Sequence, residues 1–342
     1  DLYLYKQQLL SKYIDTNIDD EKINIGLPLA LNNYELLPFW HSFFTELGFN
    51  VVTSPFSDRK LYESGQYTIP SDTVCYPAKL IHGHIEALIR ENADVIFYPD
   101  MSYNIDEKQG DDHFNCPVVA YYPQVVRWNI PDIKNVKFIY DFLSLAKPKV
   151  FEKRMREILV KYFPEKDFTT KQISLATKAA YAEYAEYLES VRAEGERYIK
   201  KAKETGKPVI LLAGRPYHVD PEINHGIHEL ICRFGAIVLS EDSIRPGKEK
   251  LVTGVRNQWT YHSRMYNAAK FVANAPENLD IHVVQLVSFG CGVDAVTTDE
   301  VRSIVEKSGR LYAQVKIDEI SNTGAVTIRL RSLMSVIELR KK

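Results

Sequence analysis

Short apolar segments of strand length alternate with longer segments of helical spacing along the 342-residue sequence. In the first half, strands are predicted at 23–28, 49–52 and 94–98, and the apolar residues of 77–91 recur at the spacing of one helix face. Alternation of strand, helix and strand is typical of parallel sheets with helices on their faces. The sequence therefore predicts an α/β fold.

The same alternation returns in the second half, between strands predicted at 208–213 and 281–287. Residues 141–206 between the halves are helical in character, with breaks near Pro148 and Pro164. A chain of this length can hold two domains of ordinary size, each with its own core. We predict two doubly wound (Rossmann/flavodoxin-like) parallel-sheet domains joined by a helical connection. The predicted boundaries are a lead-in segment at 1–22, an N-terminal α/β domain at 23–140, the connection at 141–206 and a C-terminal α/β domain at 207–342.

Charge and hydropathy argue against two classes of partner. The formal net charge is −2, with both signs mixed along the chain, so no electrostatic feature predicts binding to nucleic acid or to an anionic membrane. No apolar run reaches the length of about 20 residues that a membrane span needs, and no signal-peptide pattern opens the sequence. We therefore expect a soluble, cytoplasmic protein. Because the sequence begins with Asp1 and not with Met, we also expect it to be a piece of a longer polypeptide.

Three of the four cysteines lie where predicted elements meet loops. Cys75 stands just before a predicted helix, Cys116 ends a long polar loop before a strand predicted at 118–122, and Cys291 follows the strand at 281–287. Ligands of open α/β sheets gather outside the carboxyl ends of the strands, and a helix N-terminus favours a thiolate. A site built by all three cysteines would lie in the cleft between the two predicted domains.

The sulfur chemistry leaves several occupants open at this point. Four widely spaced cysteines do not form a disulfide framework. Soft sulfur ligands select zinc, copper(I) or iron–sulfur clusters, and structural zinc normally uses short local pairs that this sequence lacks. A cubane held by three cysteines would leave one iron free for substrate, whereas three unrelated reduced thiols are the plainer alternative. Cys232 lies in an apolar helical stretch and is predicted to be a core residue.

Two further segments carry candidate polar residues. His113 lies three residues before Cys116 and is the histidine best placed for a role in or beside a ligand set. The loop Gly214-Arg215-Pro216-Tyr217 follows a predicted strand, where Arg215 could hold an anion. Neither GxGxxG nor GxxxxGK[ST] occurs, so no nucleotide phosphate site is predicted.

Several segments spread over residues 22–335 form one set. They are Pro38-Phe39-Trp40, Phe43 to Phe49, Ser71 to Lys79, His82-Gly83-His84, Asn115-Cys116-Pro117, Gly214 to His218, Phe289 to Asp294 and the tail from Lys316 to Leu333. Together they resemble the domain of 2-hydroxyacyl-CoA dehydratase activase-related proteins (DUF2229 type). That domain is similar in turn to 2-hydroxyacyl-CoA dehydratase subunits and to double-cubane cluster proteins.

The resemblance implies an iron–sulfur cluster, either a [4Fe–4S] cluster with an open iron or a double cubane. It implies Cys75, Cys116 and Cys291 as its ligands. The residues implied as neighbours of the cluster or as substrate contacts are His113, Lys79, Arg215, Tyr217 and His218.

The resemblance also implies partners and a reaction. An ATP-dependent activase of the actin/Hsp70 type, in cis or in trans, would deliver an electron to a low-potential cluster used for radical dehydration or for reduction. The substrate would be an acyl-CoA or another small molecule, the enzyme class a lyase or a component of an ATP-coupled reductase, and the assembly a homodimer. The alternative is a non-catalytic electron-transfer or regulatory domain of a larger ATP-dependent activase, with or without a cluster.

Overall fold

The computed structural model describes residues 1–14, 18–91, 93–247, 251–319 and 323–340. The chain separates into two compact units. The first, called here the N-terminal unit, comprises Gln8–Glu107 and His113–Tyr187. The second, called the C-terminal unit, comprises Asp1–Gln7, Lys108–Asp112 and Leu188–Lys342. The domain boundaries inferred from the sequence stay predictions.

The helices and strands follow one another from α1 to α13 and from β1 to β10. Up to Tyr162 they are α1 (Leu2–Ser11), β1 (Asn24–Leu27), α2 (Asn32–Glu35), α3 (Leu37–Glu46), β2 (Asn50–Thr53), α4 (Arg59–Gly65), α5 (Tyr76–Arg90), β3 (Val95–Phe97), β4 (Asp100–Tyr103), α6 (Pro117–Asn129), β5 (Lys137–Ile139), β6 (Phe142–Ser144) and α7 (Pro148–Tyr162). After Tyr162 they are α8 (Thr170–Thr205), β7 (Val209–Ala213), α9 (Pro221–Asn224), α10 (Ile227–Arg233), β8 (Ile237–Ser240), α11 (Thr260–Ala273), β9 (Ile281–Ser288), α12 (Gly292–Glu306), β10 (Tyr312–Ile317) and α13 (Thr323–Arg340). Short 3-10 helices lie at Gln66–Thr68, Pro131–Asn135, Pro216–Val219 and Glu241–Ser243.

Each unit contains one four-stranded parallel sheet. The order is β2-β1-β3-β5 in the N-terminal unit and β8-β7-β9-β10 in the C-terminal unit. Counted along the chain within each sheet, both orders are 2-1-3-4, the order of a doubly wound sheet of the flavodoxin type. The order of the strands reverses between β1 and β3 in one unit and between β7 and β9 in the other. The predicted α/β fold with parallel sheets is therefore confirmed.

The central strands of the C-terminal unit are buried along their whole length. All five residues of β7 and all eight of β9 are buried. Strands of a parallel sheet that are covered on both faces carry continuous apolar runs, which is why the sequence shows these two strands so clearly. Residues 1–7 join the same unit, since Tyr3 donates to the carbonyl of Leu212 at 2.9 Å and Lys6 pairs with Asp242 at 2.5 Å.

An aromatic cluster on α3 forms part of the core of the N-terminal unit. The ring of Trp40 lies 4.8 Å from that of Phe97 on β3, and the ring of Phe39 lies 5.3 Å from that of Phe151 on α7. All four side chains are fully buried. They place α3 and α7 on the face of the sheet to which Phe97 points.

The strand predicted at 118–122 is wrong, because these residues belong to helix α6. Their β-branched and aromatic side chains are typical of strands. However, Pro117 occupies the first helical turn, where its missing N–H costs nothing, and buried Val119, Pro123 and Val126 recur at helical spacing. Among the described residues, no helix combines the length and apolar character that a membrane span requires.

Candidate functional site

The three cysteines predicted as ligands all occupy the residue immediately before a helix. Cys75 is the N-cap of α5, Cys116 that of α6 and Cys291 that of α12, each with extended backbone torsions. The helices are 15, 13 and 15 residues long. The N–H groups of a helix N-terminus and the helix dipole stabilise negative charge. Each position therefore favours a sulfur that carries negative charge or binds a cation.

Cys116 and Cys291 occupy equivalent places in the two sheets. Each begins the helix that connects the third strand of its sheet to the fourth. The Sγ of Cys116 accepts the N–H of Val119 at 3.4 Å, and the Sγ of Cys291 accepts that of Asp294 at 3.4 Å. The place that corresponds to Cys75 in the C-terminal unit is held by Trp259, the N-cap of α11. One capping position therefore carries cysteine in both units, and the other carries it in the N-terminal unit alone.

Two buried tyrosines belong to the surroundings of Cys75 and Cys116. Tyr98 directly follows β3 and is fully buried. Tyr122 lies on α6, and burial together with the charge of Cys75 raises the pKa of its phenol above the usual range. Both phenols therefore stay protonated at neutral pH and act as hydrogen-bond donors.

A series of hydrogen bonds links Tyr122 through His82 and Thr68 to a backbone carbonyl. Thr68 Oγ1 donates to the carbonyl of Gly65 at 2.9 Å, so it accepts from His82 Nδ1 at 2.7 Å. His82 Nε2 is then unprotonated and accepts the hydroxyl of Tyr122 at 3.1 Å. Burial lowers the pKa of His82 to about 4, in agreement with a neutral ring. This chain of donors fixes the direction in which the Tyr122 proton points.

Arg215 connects the loop after β7 to Cys291. Its Nη2 donates to the Sγ of Cys291 at 2.8 Å and to Oδ1 of Asp294 at 2.6 Å. Oδ2 of Asp294 accepts the N–H of Ser288 at 3.1 Å. Arg215 and Asp294 are 3 % and 4 % exposed, so the pair lies in the interior. Because β7 and β9 flank the reversal of strand order, this is where doubly wound sheets bind ligands.

The histidines beside this pair are neutral. Burial and the charge of Arg215 hold the pKa of His218 well below its usual value, and burial lowers that of His262. Both ring nitrogens of His218 face donors of Arg215, at 3.2 Å from its backbone N and 3.3 Å from Nη1. A neutral ring keeps one proton, so only one of these contacts is a hydrogen bond at a time. The positive charge beside Cys291 therefore comes from Arg215.

Burial by itself would raise the pKa of Asp294, but its neighbours together outweigh this effect. The pKa of Asp294 is held below its usual range by Arg215 and by the neighbouring His262. The pKa of Arg215 is raised, against the effect of its own burial, chiefly by Asp294. Asp294 thus balances the arginine and fixes its orientation toward the sulfur.

Of the remaining predicted residues, Lys79 and His113 lie close in sequence to Cys75 and Cys116, and Tyr217 lies with Arg215 in the segment after β7. Lys79 is 4 % exposed and lies one turn along α5 from Cys75, whose carbonyl accepts the Lys79 N–H at 3.3 Å. The ring of His113 lies 5.4 Å from that of Tyr103, and its carbonyl accepts the N–H of Asn104. Tyr217 is buried, with its ring 5.2 Å from that of His218. The structure therefore brings Arg215, Tyr217 and His218 together in one cluster with Cys291.

The donor set agrees with the chemistry of an iron–sulfur cluster in its ligand type. Thiolates are the ligands such clusters take, and the Sγ atoms of Cys116 and Cys291 each accept an N–H of the helix that they begin. Within the described part of each unit, no three His, Cys, Asp or Glu side chains converge on a metal position. The described residues of either unit therefore show no complete set of three ligands.

A cavity of about 540 Å³ opens beside Cys291 in the C-terminal unit. It lies at the carboxyl ends of β9 and β10, and its lining includes Ser288, Gly290, Cys291, Asp294, Gln314 and Lys316. Asp294 borders both this cavity and Arg215. A small molecule in this cavity would therefore lie beside Cys291 and Asp294.

Sequence reasoning missed the roles of Asp294 and Tyr98. Asp294 stands three residues after Cys291, at the N3 position where acidic residues stabilise a helix start, so this spacing could have indicated it. Tyr98 directly follows a buried strand, the place where ligands of parallel sheets collect. His262 on α11, whose Nε2 lies 3.5 Å from Asp294 Oδ1, has no local sequence signal.

The fold and the cysteines at helix N-caps define an α/β protein with two doubly wound sheets and thiols at the starts of three helices. The chain belongs to the DUF2229 family, described as the CoA enzyme activase uncharacterised domain, whose model matches residues 24–244. No curated protein matches the chain. Among solved structures it is similar to the C-terminal domain of glucosamine-fructose-6-phosphate aminotransferase from Francisella tularensis. That match has 9 % identity, covers 99 % of this chain and 94 % of the other, and has a TM-score of 0.23, too low to carry an argument.

Proposed function

We propose that this domain binds an iron–sulfur cluster through Cys75, Cys116 and Cys291 and uses it in one-electron chemistry that an ATP-dependent activase drives. The observation that carries the proposal is the shared position of the three thiols, each at the start of a long helix. When bound, the cluster would supply a low-potential electron and an open iron. The substrate would be an acyl-CoA or another small molecule, and the reaction a radical dehydration or a reduction.

The protein's own residues would hold and orient the ligands. Arg215 would donate to the Cys291 thiolate, and Asp294 would keep the guanidinium in place. Lys79, His113, Tyr217 and His218 are proposed as neighbours of the cluster or as substrate contacts. The cavity beside Cys291 would give a small substrate access to the sulfur of that residue.

A second function is supported by the description of the family. The matched model is named for CoA enzyme activases and not for the dehydratases themselves. This favours, as the alternative, an electron-transfer or regulatory domain that serves an activase, with or without a cluster. Iron and sulfide content distinguishes such a domain with a cluster from one without.

The test is the iron and acid-labile sulfide content of the full chain, prepared or reconstituted without oxygen. We expect stoichiometric iron and sulfide in the wild type and a loss of most of both in Cys75→Ser, Cys116→Ser and Cys291→Ser. The matched control is Cys232→Ser, because Cys232 lies on α10 and has no proposed ligand role. Full iron content in all three ligand variants, with the fold intact by circular dichroism, would contradict the proposal.

A further inference from the structure

The hydroxyl of Tyr98 is a buried donor with an unmet hydrogen bond. Tyr98 is 0 % exposed, and within the described chain its hydroxyl has no hydrogen-bond partner. A buried phenol without a partner loses its bonds to water and gains nothing in return. Such a group indicates an occupant that accepts its hydrogen bond, either a ligand or an enclosed water molecule.

The strand geometry directs Tyr98 toward the helices that carry the N-terminal cysteines. Successive side chains of a strand point to opposite faces of the sheet. Phe97 contacts Trp40 of α3, so Tyr98 points to the other face. In a 2-1-3-4 sheet, that face is covered by the connections from the second strand to the third and from the third to the fourth. These connections are α5 and α6, which begin after Cys75 and Cys116.

The backbone fixes Tyr98 at the carboxyl end of the sheet. Its N–H donates to the carbonyl of Ile139 at 2.9 Å, which extends the pairing of β3 with β5 by one residue. The helices α5 and α6 contact each other through the hydrogen bond between His82 and Tyr122. The phenol of Tyr98 therefore lies under two packed helices, at the end where both of them begin.

Electrostatics agrees with this placement. Burial raises the pKa of Tyr98 well above its usual value, and neighbouring acidic groups raise it further. Those groups are Tyr122, Asp100, Cys116 and Cys75. The phenol therefore stays protonated at neutral pH and acts as a donor.

We infer that Tyr98 is a positioning residue that donates a hydrogen bond to the anionic sulfur group held by Cys75 and Cys116. This inference rests on the proposed function. The accepting atom would be the thiolate of Cys75 or Cys116, or a sulfide of the cluster that they would hold. Hydrogen bonds to cluster sulfurs raise the reduction potential, so the phenol makes the cluster easier to reduce and slower to lose iron.

The variant Tyr98→Phe removes the hydroxyl and keeps the ring. In the protein without iron and sulfide, we expect an unfolding midpoint equal to that of the wild type or higher, because an unmet donor is removed. In the reconstituted protein, we expect a chelator to strip iron about 5- to 10-fold faster, the effect of one lost hydrogen bond. We also expect a more negative reduction potential in a titration followed by electron paramagnetic resonance.

The matched control is Tyr181→Phe in the same unit. Its hydroxyl is already bonded, because it donates to the carbonyl of Leu145 at 2.8 Å. Its loss should lower the unfolding midpoints of the empty and reconstituted proteins alike and leave the potential unchanged.

The outcomes separate the inference from the function on which it rests. If Tyr98→Phe lowers the midpoints of the empty and loaded proteins equally and leaves the potential unchanged, the hydroxyl binds an enclosed water and the inference is overturned. If the wild type takes up no stoichiometric iron and sulfide, the proposed function is overturned, and the inference with it. A faster iron loss and a lower potential in Tyr98→Phe alone support the inference.

Discussion

Arg215 is a buried cation whose charge is balanced by one carboxylate. Removing a charge from water costs several kcal/mol, and the cost is offset only when the partner's geometry is good. Asp294 meets this condition with an oxygen at 2.6 Å from Nη2, and the Sγ of Cys291 adds a second acceptor at 2.8 Å. The free energy of this arrangement is therefore shared among three side chains, and removing any one leaves the others poorly paired.

We expect Arg215→Gln to lower the free energy of unfolding by about 3–5 kcal/mol, the usual result of leaving one member of a buried ion pair uncompensated. Urea denaturation of the full chain measures the change. The double variant Arg215→Gln/Asp294→Asn removes both charges and should recover part of the loss. A single variant within about 0.5 kcal/mol of the wild type would contradict the expected contribution of this ion pair to stability.

Glu241 gives the C-terminal unit a dependence on pH. It is 2 % exposed, its Oε2 accepts the N–H of Gly214 at 3.1 Å, and burial and the charge of Asp242 raise its pKa to about 7, although Lys6 opposes this. Between its usual pKa of 4.5 and about 7, the folded state keeps a proton that the unfolded chain has released. The contribution of Glu241 to stability is therefore greatest below pH 4.5 and declines as the pH rises to 7.

We expect Glu241→Gln to gain stability relative to the wild type between pH 5 and pH 7.5. The measurement is the difference in unfolding free energy between the two proteins at each pH. Buried histidines such as His82 and His84, whose pKa values are lowered by burial, act in the opposite direction in this range. They occur in both proteins and cancel in the difference. A difference that does not change with pH would contradict the raised pKa.

Helices α4 and α5 approach each other through two glycines. A Cβ added at Gly65 would lie 2.2 Å from the backbone N of Gly83, and a Cβ added at Gly83 would lie 2.1 Å from the carbonyl oxygen of Leu61. Both obstacles are backbone atoms, which cannot rotate away as a side chain can. This close contact sets the position of α5, the helix that Cys75 begins.

We expect Gly83→Ala to lower the free energy of unfolding by about 1–3 kcal/mol or more, because the helices must separate to admit the methyl group. Chemical denaturation provides the measurement. Gly292→Ala is the matched control, since a Cβ there meets no atom within 4 Å, and it should be neutral or slightly stabilising. Equal effects of the two substitutions would contradict steric contact as the cause.

Whether a strand or helix could be predicted from the sequence depended on how its residues are buried. The strands β7 and β9 were predicted because parallel strands covered on both faces read as unbroken apolar runs. The strand β10 was missed because it lies at the edge of its sheet and is only partly buried. Residues 118–122 have the composition of a strand, but Pro117 before them starts a helix. Local composition therefore failed where a helix start or a sheet edge decided the outcome.

The two units repeat one strand order although no repeat is legible in the sequence. Strand order depends on contacts between residues far apart in the chain, and apolar residues can be exchanged for one another without changing it. The equivalence of Cys116 and Cys291 therefore appears only in three dimensions, although each was predicted to precede or follow a regular element. Arg215 was a candidate from its loop after a predicted strand and from the resemblance, although 76 positions separate it from Cys291. His262 was not a candidate, because the fold brings it beside Asp294 from a distant segment.

The pairing of Lys6 with Asp242 has a consequence for synthesis of the protein. The two residues are 236 positions apart, and ribosomes add about 5–20 residues per second. Lys6 therefore leaves the ribosome on the order of 10 to 50 seconds before its partner exists. During that interval residues 8–107 and 113–187 can assemble, while Tyr3 and Lys6 have yet to make their contacts with the rest of the C-terminal unit.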